Sequence, residues 1–261
     1  MNPNAVHVLF AHANGFTAPV YEKFLEATGF GHRHSIERLG HSPFGVGRNW
    51  TGIVGELTAF AETIPTPRIG IGHSLGAFSL YRAALAKPGL FDALVLMEPP
   101  MFRPAVRRQI QVIRTIGLLD RFPPVSLAKK RRRRWPDLAN ARQYLLERPF
   151  FSRLDPEVLE AYLQRGLELS STGEWVLRFH AEVEHEIFRQ GPPPVDRFSR
   201  GLPLLFLYGA KTDVLKPADL THVRTQLAGA TVEAFDGGHL FPLERPIEAG
   251  QRVGDWLRSL S

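Results

Sequence analysis

The stretch Ile69–Ala77 constrains the rest of the chain more than any other. An apolar run, Ile69 to Ile71, enters the pentapeptide Gly72-His73-Ser74-Leu75-Gly76. A pattern of apolar residues at helical spacing leaves it: Leu75, Phe78, Leu80, Ala83, Ala84 and Leu85. The reading is a buried strand, a sharp turn at Ser74 and a helix, with no linker between them. Such a turn strains the serine backbone and brings the residues two before and two after it together, so both must be small. It lifts the Ser74 hydroxyl above the end of the sheet, beside a helix N-terminus that favours negative charge. The pentapeptide alone also fits a plain strand-to-helix turn with a capping serine. The surrounding chain has to decide between the two.

At 261 residues the chain suits one large α/β domain or a domain with an insertion. Val6–Phe10 reads as a buried strand that runs into Ala11-His12-Ala13-Asn14-Gly15-Phe16, a loop of small residues with exposed backbone N–H groups. Helical spacing follows over Pro19–Thr28, a second strand is expected at His34–Leu39, and Trp50–Ile64 is amphipathic until Pro65 and Pro67 stop it. Asp92–Met97 is another buried strand, ending at Glu98-Pro99-Pro100. The alternation then breaks. From 101 to 200 the patterns are mostly helical, with Asp155-Pro156 reading as an N-cap and first helical proline. Strand and helix alternate again from Leu202: strands at Leu202–Tyr208 and Thr231–Phe235, helices at Ala218–Leu227 and Ile247–Leu260. The expected fold is α/β, a mostly parallel sheet with helices on both faces. Residues 1–100 and 201–261 form its core, and 101–200 a helical cap.

Three polar side chains fall at expected strand ends, where such sheets place their sites. In chain order they are Ser74, Asp213 and His239. At this point the chain resembles the α/β-hydrolase superfamily over essentially its whole length. The resemblance is carried by Gly72-His73-Ser74-Leu75-Gly76, by His12-Ala13-Asn14-Gly15-Phe16, by Gly209-Ala210-Lys211-Thr212-Asp213 with Pro217, and by Gly237-Gly238-His239 followed by Pro242, Glu244 and Pro246. It implies the α/β-hydrolase fold with an inserted helical cap and a nucleophile elbow built on Gly72, His73 and Gly76. It also implies a serine hydrolase with a Ser-His-Asp triad. His239 would take the Ser74 proton and Asp213 would orient the imidazole. Glu98, at the end of the preceding core strand, is the alternative acid, because some members of the superfamily draw it from that place. The implied oxyanion hole is the backbone N–H groups of Asn14 and Leu75. His12 and His73 are implied to be structural or to line the cleft.

Carboxylic ester hydrolysis through an acyl-enzyme is the first expectation. Thioester, amide, lactone and carbon–carbon bond cleavage share the same triad, and a non-catalytic ligand-binding protein can keep the fold. His12, Phe16, Phe102, Phe179 and Leu240 are expected to line a pocket for a small ester-like substrate with an apolar acyl or alkyl part, although cap aromatics also serve a cap's own core. No cofactor and no metal are expected. The cluster His180, Glu182, Glu184, His185 and Glu186 lacks a metal-protease spacing and reads as a solvated helix face.

With no cysteine, no basic leader and no long apolar stretch, the chain reads as cytoplasmic. The net charge of +6 comes from 32 basic and 26 acidic residues, and equals the charge of the single run Lys129 to Arg134. That run reads first as a solvated face of a lid helix and second as an anchor for an anionic surface, lipid headgroups or an acidic substrate. Nucleic acid is not expected, since no other stretch is arranged as a basic surface. The sequence leaves the oligomeric state open.

Overall fold

The computed structural model describes residues 3–198 and 201–260. Its centre is a six-stranded parallel sheet. The strands are β1 (His7–Ala11), β2 (His32–Ser35), β3 (Arg68–His73), β4 (Ala93–Met97), β8 (Leu204–Gly209) and β9 (Thr231–Phe235), in the order β2-β1-β3-β4-β8-β9. The expected second strand starts two residues earlier than its pattern suggested. It is an edge strand with no fully buried residue, so hydrophobicity could not place it.

Side chains alternate across the sheet, as a pleated strand requires. Val8, Phe10, Ile69, Ile71, Ala93, Val95, Met97, Leu205 and Leu207 face one layer. Helices α1 (Glu22–Ala27) and α11 (Pro246–Arg258) cover that face. Leu9, Ala11, Leu94, Leu96, Leu204 and Phe206 face the other. There α2 (Thr51–Glu62), α3 (Leu75–Ala86) and α9 (Pro217–Gln226) pack. On this second face β3 contributes Arg68, which donates to Ala61 C=O of α2, and then only Gly70 and Gly72. A Cβ on Gly72 would lie 2.6 Å from the backbone of Ala77. Missing side chains thus let α3 lie directly against β3.

The chain leaves the sheet after β4 and returns at β8. Between them lie α4 (Pro104–Thr115), α5 (Val125–Lys129), α6 (Leu138–Leu146), α7 (Pro156–Arg165) and α8 (Ala181–Gln190). The insertion is not wholly helical. It also holds a small antiparallel sheet, β5 (Arg134–Trp135), β7 (Trp175–Leu177) and β6 (Leu167–Leu169). Strands of two or three residues are too short to display a period of two, and β5 is hidden at the end of the basic run. The expected close of the insertion at 200 lies outside the described residues. Its apolar side chains do not form a separate core. Trp135, Leu145, Phe151, Leu159, Tyr162 and Leu177 merge with the cluster on the first face of the large sheet, and Phe179 and Ile187 with that on the second. Helix α10 (Phe241–Glu244) is a single turn before α11.

Asp155 caps α7 as its sequence suggests, accepting from the N–H groups of Glu157 (2.9 Å) and Val158 (3.3 Å). The same carboxylate receives Lys23 Nζ of α1 at 2.9 Å and so ties the insertion to the core. Asp155→Ala is expected to lower the unfolding free energy by about 1–2 kcal/mol in urea titration. Asp155→Asn, which keeps the cap and loses only the charge pair, is expected to cost less than about 1 kcal/mol. Equal losses would contradict the capping role.

Candidate active site

Ser74 is the only residue between β3 and α3, and it carries the whole turn. Its φ of 52° and ψ of −113° are unfavourable for a residue with a side chain. Backbone bonds hold it there. Its N–H donates to Met97 C=O at 2.8 Å, and its C=O accepts from Phe78 N–H at 3.0 Å. Two residues on, Gly76 N–H donates to His12 C=O at 3.2 Å. A Cβ on Gly76 would collide with the backbone of Ala11 and His12. The requirement for small residues on both sides of the serine is therefore met by two different neighbours: the first turn of α3 at Gly72 and the loop after β1 at Gly76.

His239 follows β9, in the loop Gly237-Gly238-His239. Its Nε2 lies 3.1 Å from Ser74 Oγ. Its Nδ1 faces Glu98 Oε1 at 3.4 Å and has no other partner among the described residues. This is an ion-pair distance rather than a formed hydrogen bond. Glu98 sits at the end of β4 with 0% of its side chain exposed and a φ of 44°. Its Oε2 accepts from Gly209 N–H at 2.8 Å, and its Oε1 accepts from the Thr212 hydroxyl. A buried carboxylate with three such neighbours is compensated, whereas an isolated one is not.

Asp213 is not the carboxylate brought to His239. It is exposed and makes no hydrogen bond or ion pair with the described residues. The turn Gly209–Thr212, closed by Thr212 N–H on Gly209 C=O at 3.1 Å, aims the Thr212 hydroxyl inward at Glu98 and leaves Asp213 outside. The loop singled out in the sequence thus reaches the site through its neighbouring threonine.

His12 and His73 are both buried and both committed. His12 Nδ1 lies 2.8 Å from Ala13 C=O, which can only accept, so this nitrogen carries the proton; Nε2 accepts from Leu39 N–H at 2.9 Å. His73 Nε2 faces His239 C=O at 2.9 Å and is protonated for the same reason. Its Nδ1 then accepts from the Tyr21 hydroxyl at 2.8 Å, and Tyr21 accepts from Ala13 N–H at 3.4 Å. One chain of hydrogen bonds therefore runs from the loop after β1 to the backbone of His239. Tyr21 was not singled out in the sequence, where it reads as one more apolar helix position.

The Asn14 and Leu75 N–H groups have no acceptor among the described residues. Asn14 Nδ2 donates to Glu184 C=O of α8 at 3.1 Å, and its Oδ1 is buried without a partner. Of the expected pocket residues, His12 offers no free nitrogen. Phe16 is packed among Tyr21, Phe150, Phe151 and Tyr162. Phe179 lies edge-on to His12 and His41, Leu240 belongs to the first core cluster, and Phe102 is partly buried against the second.

One member of the basic run turns inward. Arg131 pairs with Glu184 and donates to the Tyr162 hydroxyl at 2.5 Å. A Cβ on Gly15 would lie 2.9 Å from Arg131 Nη1 and 3.0 Å from Glu184 Oε1, so the pair rests on the backbone beside Asn14. Burial opposes the Arg131 charge; Glu184 and Tyr162 more than offset it, and the guanidinium is held more firmly protonated than usual. Nothing in six consecutive basic residues marks which one faces inward. The neighbouring acidic cluster is likewise engaged, Glu182 with Arg133 and His185 with Asp120.

Burial pushes His12 down to about 4, the Ala13 carbonyl opposing the shift and His41 adding to it. Burial, then the neighbouring His239, holds His73 well below the ordinary histidine value. Unfolded, both would take up protons near pH 6.5; folded, they stay neutral. The stability they contribute is therefore complete above pH 6.5 and is lost as pH falls below it, down to about 4 for His12. Each is expected to add a slope of about 1.4 kcal/mol per pH unit across that window. Urea midpoints measured from pH 7 to 4.5 test this, and a flat profile would contradict it.

The arrangement can carry acyl-transfer chemistry: a hydroxyl, an imidazole within reach of it, a buried carboxylate behind the imidazole, and free N–H groups nearby. A model of the alpha/beta hydrolase family matches residues 8–249. An abhydrolase domain-containing protein of Alternaria alternata, AFT2-1, is 24% identical, with 73% of this chain and 83% of that protein covered. Among solved structures, E-2-(acetamidomethylene)succinate hydrolase superposes with a TM-score of 0.77 at 15% identity, covering 98% of this chain and 92% of that one. The esterase Rv0045c of M. tuberculosis gives 0.72 at 18% identity, with 98% and 86% covered.

Proposed function

The chain belongs to the alpha/beta hydrolase family, and we propose that it is a serine hydrolase using Ser74, His239 and Glu98 to cleave carboxylic esters through an acyl-enzyme. The observation that carries this reading is His239 Nε2 at 3.1 Å from Ser74 Oγ, with the buried Glu98 carboxylate behind Nδ1.

In this reading Ser74 Oγ attacks the ester carbonyl carbon while His239 Nε2 takes its proton. The negative charge that develops on the carbonyl oxygen is received by the N–H groups of Asn14 and Leu75, each worth about 3 kcal/mol in the transition state. Glu98 holds the Nδ1–H tautomer and stabilises the imidazolium. His239 then returns the proton to the departing alcohol oxygen as the carbon–oxygen bond breaks. A water molecule, deprotonated by the same nitrogen, attacks the acyl-enzyme and releases the acid and free Ser74. An apolar acyl or alkyl part on the substrate belongs to this reading as the sequence expectation; Phe16, Phe151 and Tyr162 themselves pack in the first core cluster.

Fluorophosphonate labelling read by intact mass is expected to give a single adduct that Ser74→Ala abolishes. No adduct on folded protein would end the proposal and favour the ligand-binding reading. For the acid, Glu98→Gln is expected to lower kcat on a short-chain aryl ester by about 10³-fold or more. Asp213→Asn should stay within a few-fold of the parent. The reverse result would return the role to Asp213. A matched series of esters, thioesters and amides ranks the reaction classes.

A further inference from the structure

The outer side of the cap carries charge and exposed apolar surface together. Residues 103–134 hold eleven basic residues and one acidic, Asp120. That is a net +10, which leaves −4 for the remainder of a chain whose total is +6. The same segment exposes four large apolar side chains: Val112 and Ile116 (59% each), Phe122 (48%) and Leu127 (64%).

Helix α4 is amphipathic yet buries none of its residues fully. Val106, Arg107, Ile110, Ile113 and Arg114 are its partly covered positions. Arg108, Val112 and Ile116 fall four residues apart on the opposite, exposed stripe. The turn Leu119–Arg121 and then α5 follow, each packed on the element before it, and they present Phe122 and Leu127. Not all the charge is available. Arg131 is spent on Glu184, and Lys129, Arg133 and Arg134 pair with Asp120, Glu182 and Glu174. Arg108, Arg121, Lys130 and Arg132 are exposed and have no carboxylate partner among the described residues; Arg132 lies over the Tyr144 ring and donates its Nε–H to Arg134 C=O, which leaves its charge without an anion.

We propose that this face, α4 through α5, docks the protein on a bilayer surface bearing anionic phospholipids, with Val112, Ile116, Phe122 and Leu127 entering the interface and Arg108, Arg121, Lys130 and Arg132 meeting the headgroups. Basic side chains around exposed apolar ones are what such a surface recognises. Aliphatic side chains such as Val112, Ile116 and Leu127 have no counterpart on a phosphate backbone, which argues against nucleic acid. A second copy of the chain would bring the same uncompensated positive charges against themselves. The proposal does not depend on the hydrolase reading.

The test is co-sedimentation of the full chain with phosphatidylcholine vesicles, with and without phosphatidylglycerol, at low and high salt. Binding is expected only to the phosphatidylglycerol vesicles and is expected to weaken with salt. The variant Arg108→Gln/Arg121→Gln/Lys130→Gln/Arg132→Gln should bind about a hundredfold more weakly. The variant Val112→Ser/Ile116→Ser/Phe122→Ser/Leu127→Ser should also lose at least about tenfold. Circular dichroism and urea midpoints control for folding. Because the chain has no cysteine, Ile116→Cys gives one labelling site. An environment-sensitive dye there should shift to the blue on anionic vesicles and not on neutral ones. The proposal is overturned by no vesicle binding, by equal binding to both vesicle types, or by an unmoved dye. Parent-level binding by the serine variant, displaced by RNA, would assign the face to a polyanion instead.

Discussion

The contact between the first turn of α3 and the backbone of the loop after β1 governs the site. Gly76 N–H reaches His12 C=O, and any side chain at Gly76 would collide with Ala11 and His12. That approach holds Ser74 in a conformation it would not otherwise adopt. It also brings the N–H of Leu75 and the N–H of Asn14, two residues beyond His12, to the same end of the sheet. The proposed nucleophile and both proposed oxyanion donors therefore share one packing constraint. The His12 ring secures the loop from behind, with one nitrogen on Ala13 C=O and the other on Leu39 N–H.

A second constraint sets the imidazole. His239 is placed through its backbone as much as its ring, because its carbonyl receives His73, which in turn receives Tyr21. Buried neutral histidines suit this work, since each ring offers one donor and one acceptor in fixed positions. Glu98 is oriented by Gly209 N–H and the Thr212 hydroxyl, groups from the next strand and its turn. The proposed acid thus comes from β4 and its support from β8, and the loop after β8 contributes a threonine where the family pattern suggested an aspartate.

The insertion between β4 and β8 is built into the core of the sheet. Its apolar residues merge with the clusters on both faces of the sheet, and the inward-facing guanidinium of Arg131 rests on Gly15. A buried ion pair contributes little net stability, but losing one partner leaves an uncompensated charge. The Arg131–Glu184 pair is better understood as fixing where α8 sits over the Asn14 loop. Its position separates one arginine of the run from those that remain outside with α4 and α5.

The sequence determined what local rules govern: strands long enough to show their burial, helices with stripes and caps such as Asp155, and the Gly-x-Ser-x-Gly turn, whose small residues admit few alternatives. It also ordered Ser74 and His239 along the chain at strand ends. Tertiary structure decided which carboxylate meets His239, because Glu98 and Asp213 both end near strand termini and only the direction of the Gly209–Thr212 turn separates them. It decided that Tyr21 and His73 form one chain of hydrogen bonds 52 residues apart, that three strands too short for a period make a sheet in the insertion, and that Arg131 faces inward. In each case the selecting interaction lies between segments distant in the chain, and a one-dimensional pattern holds no record of which of several equivalent side chains the packing will choose.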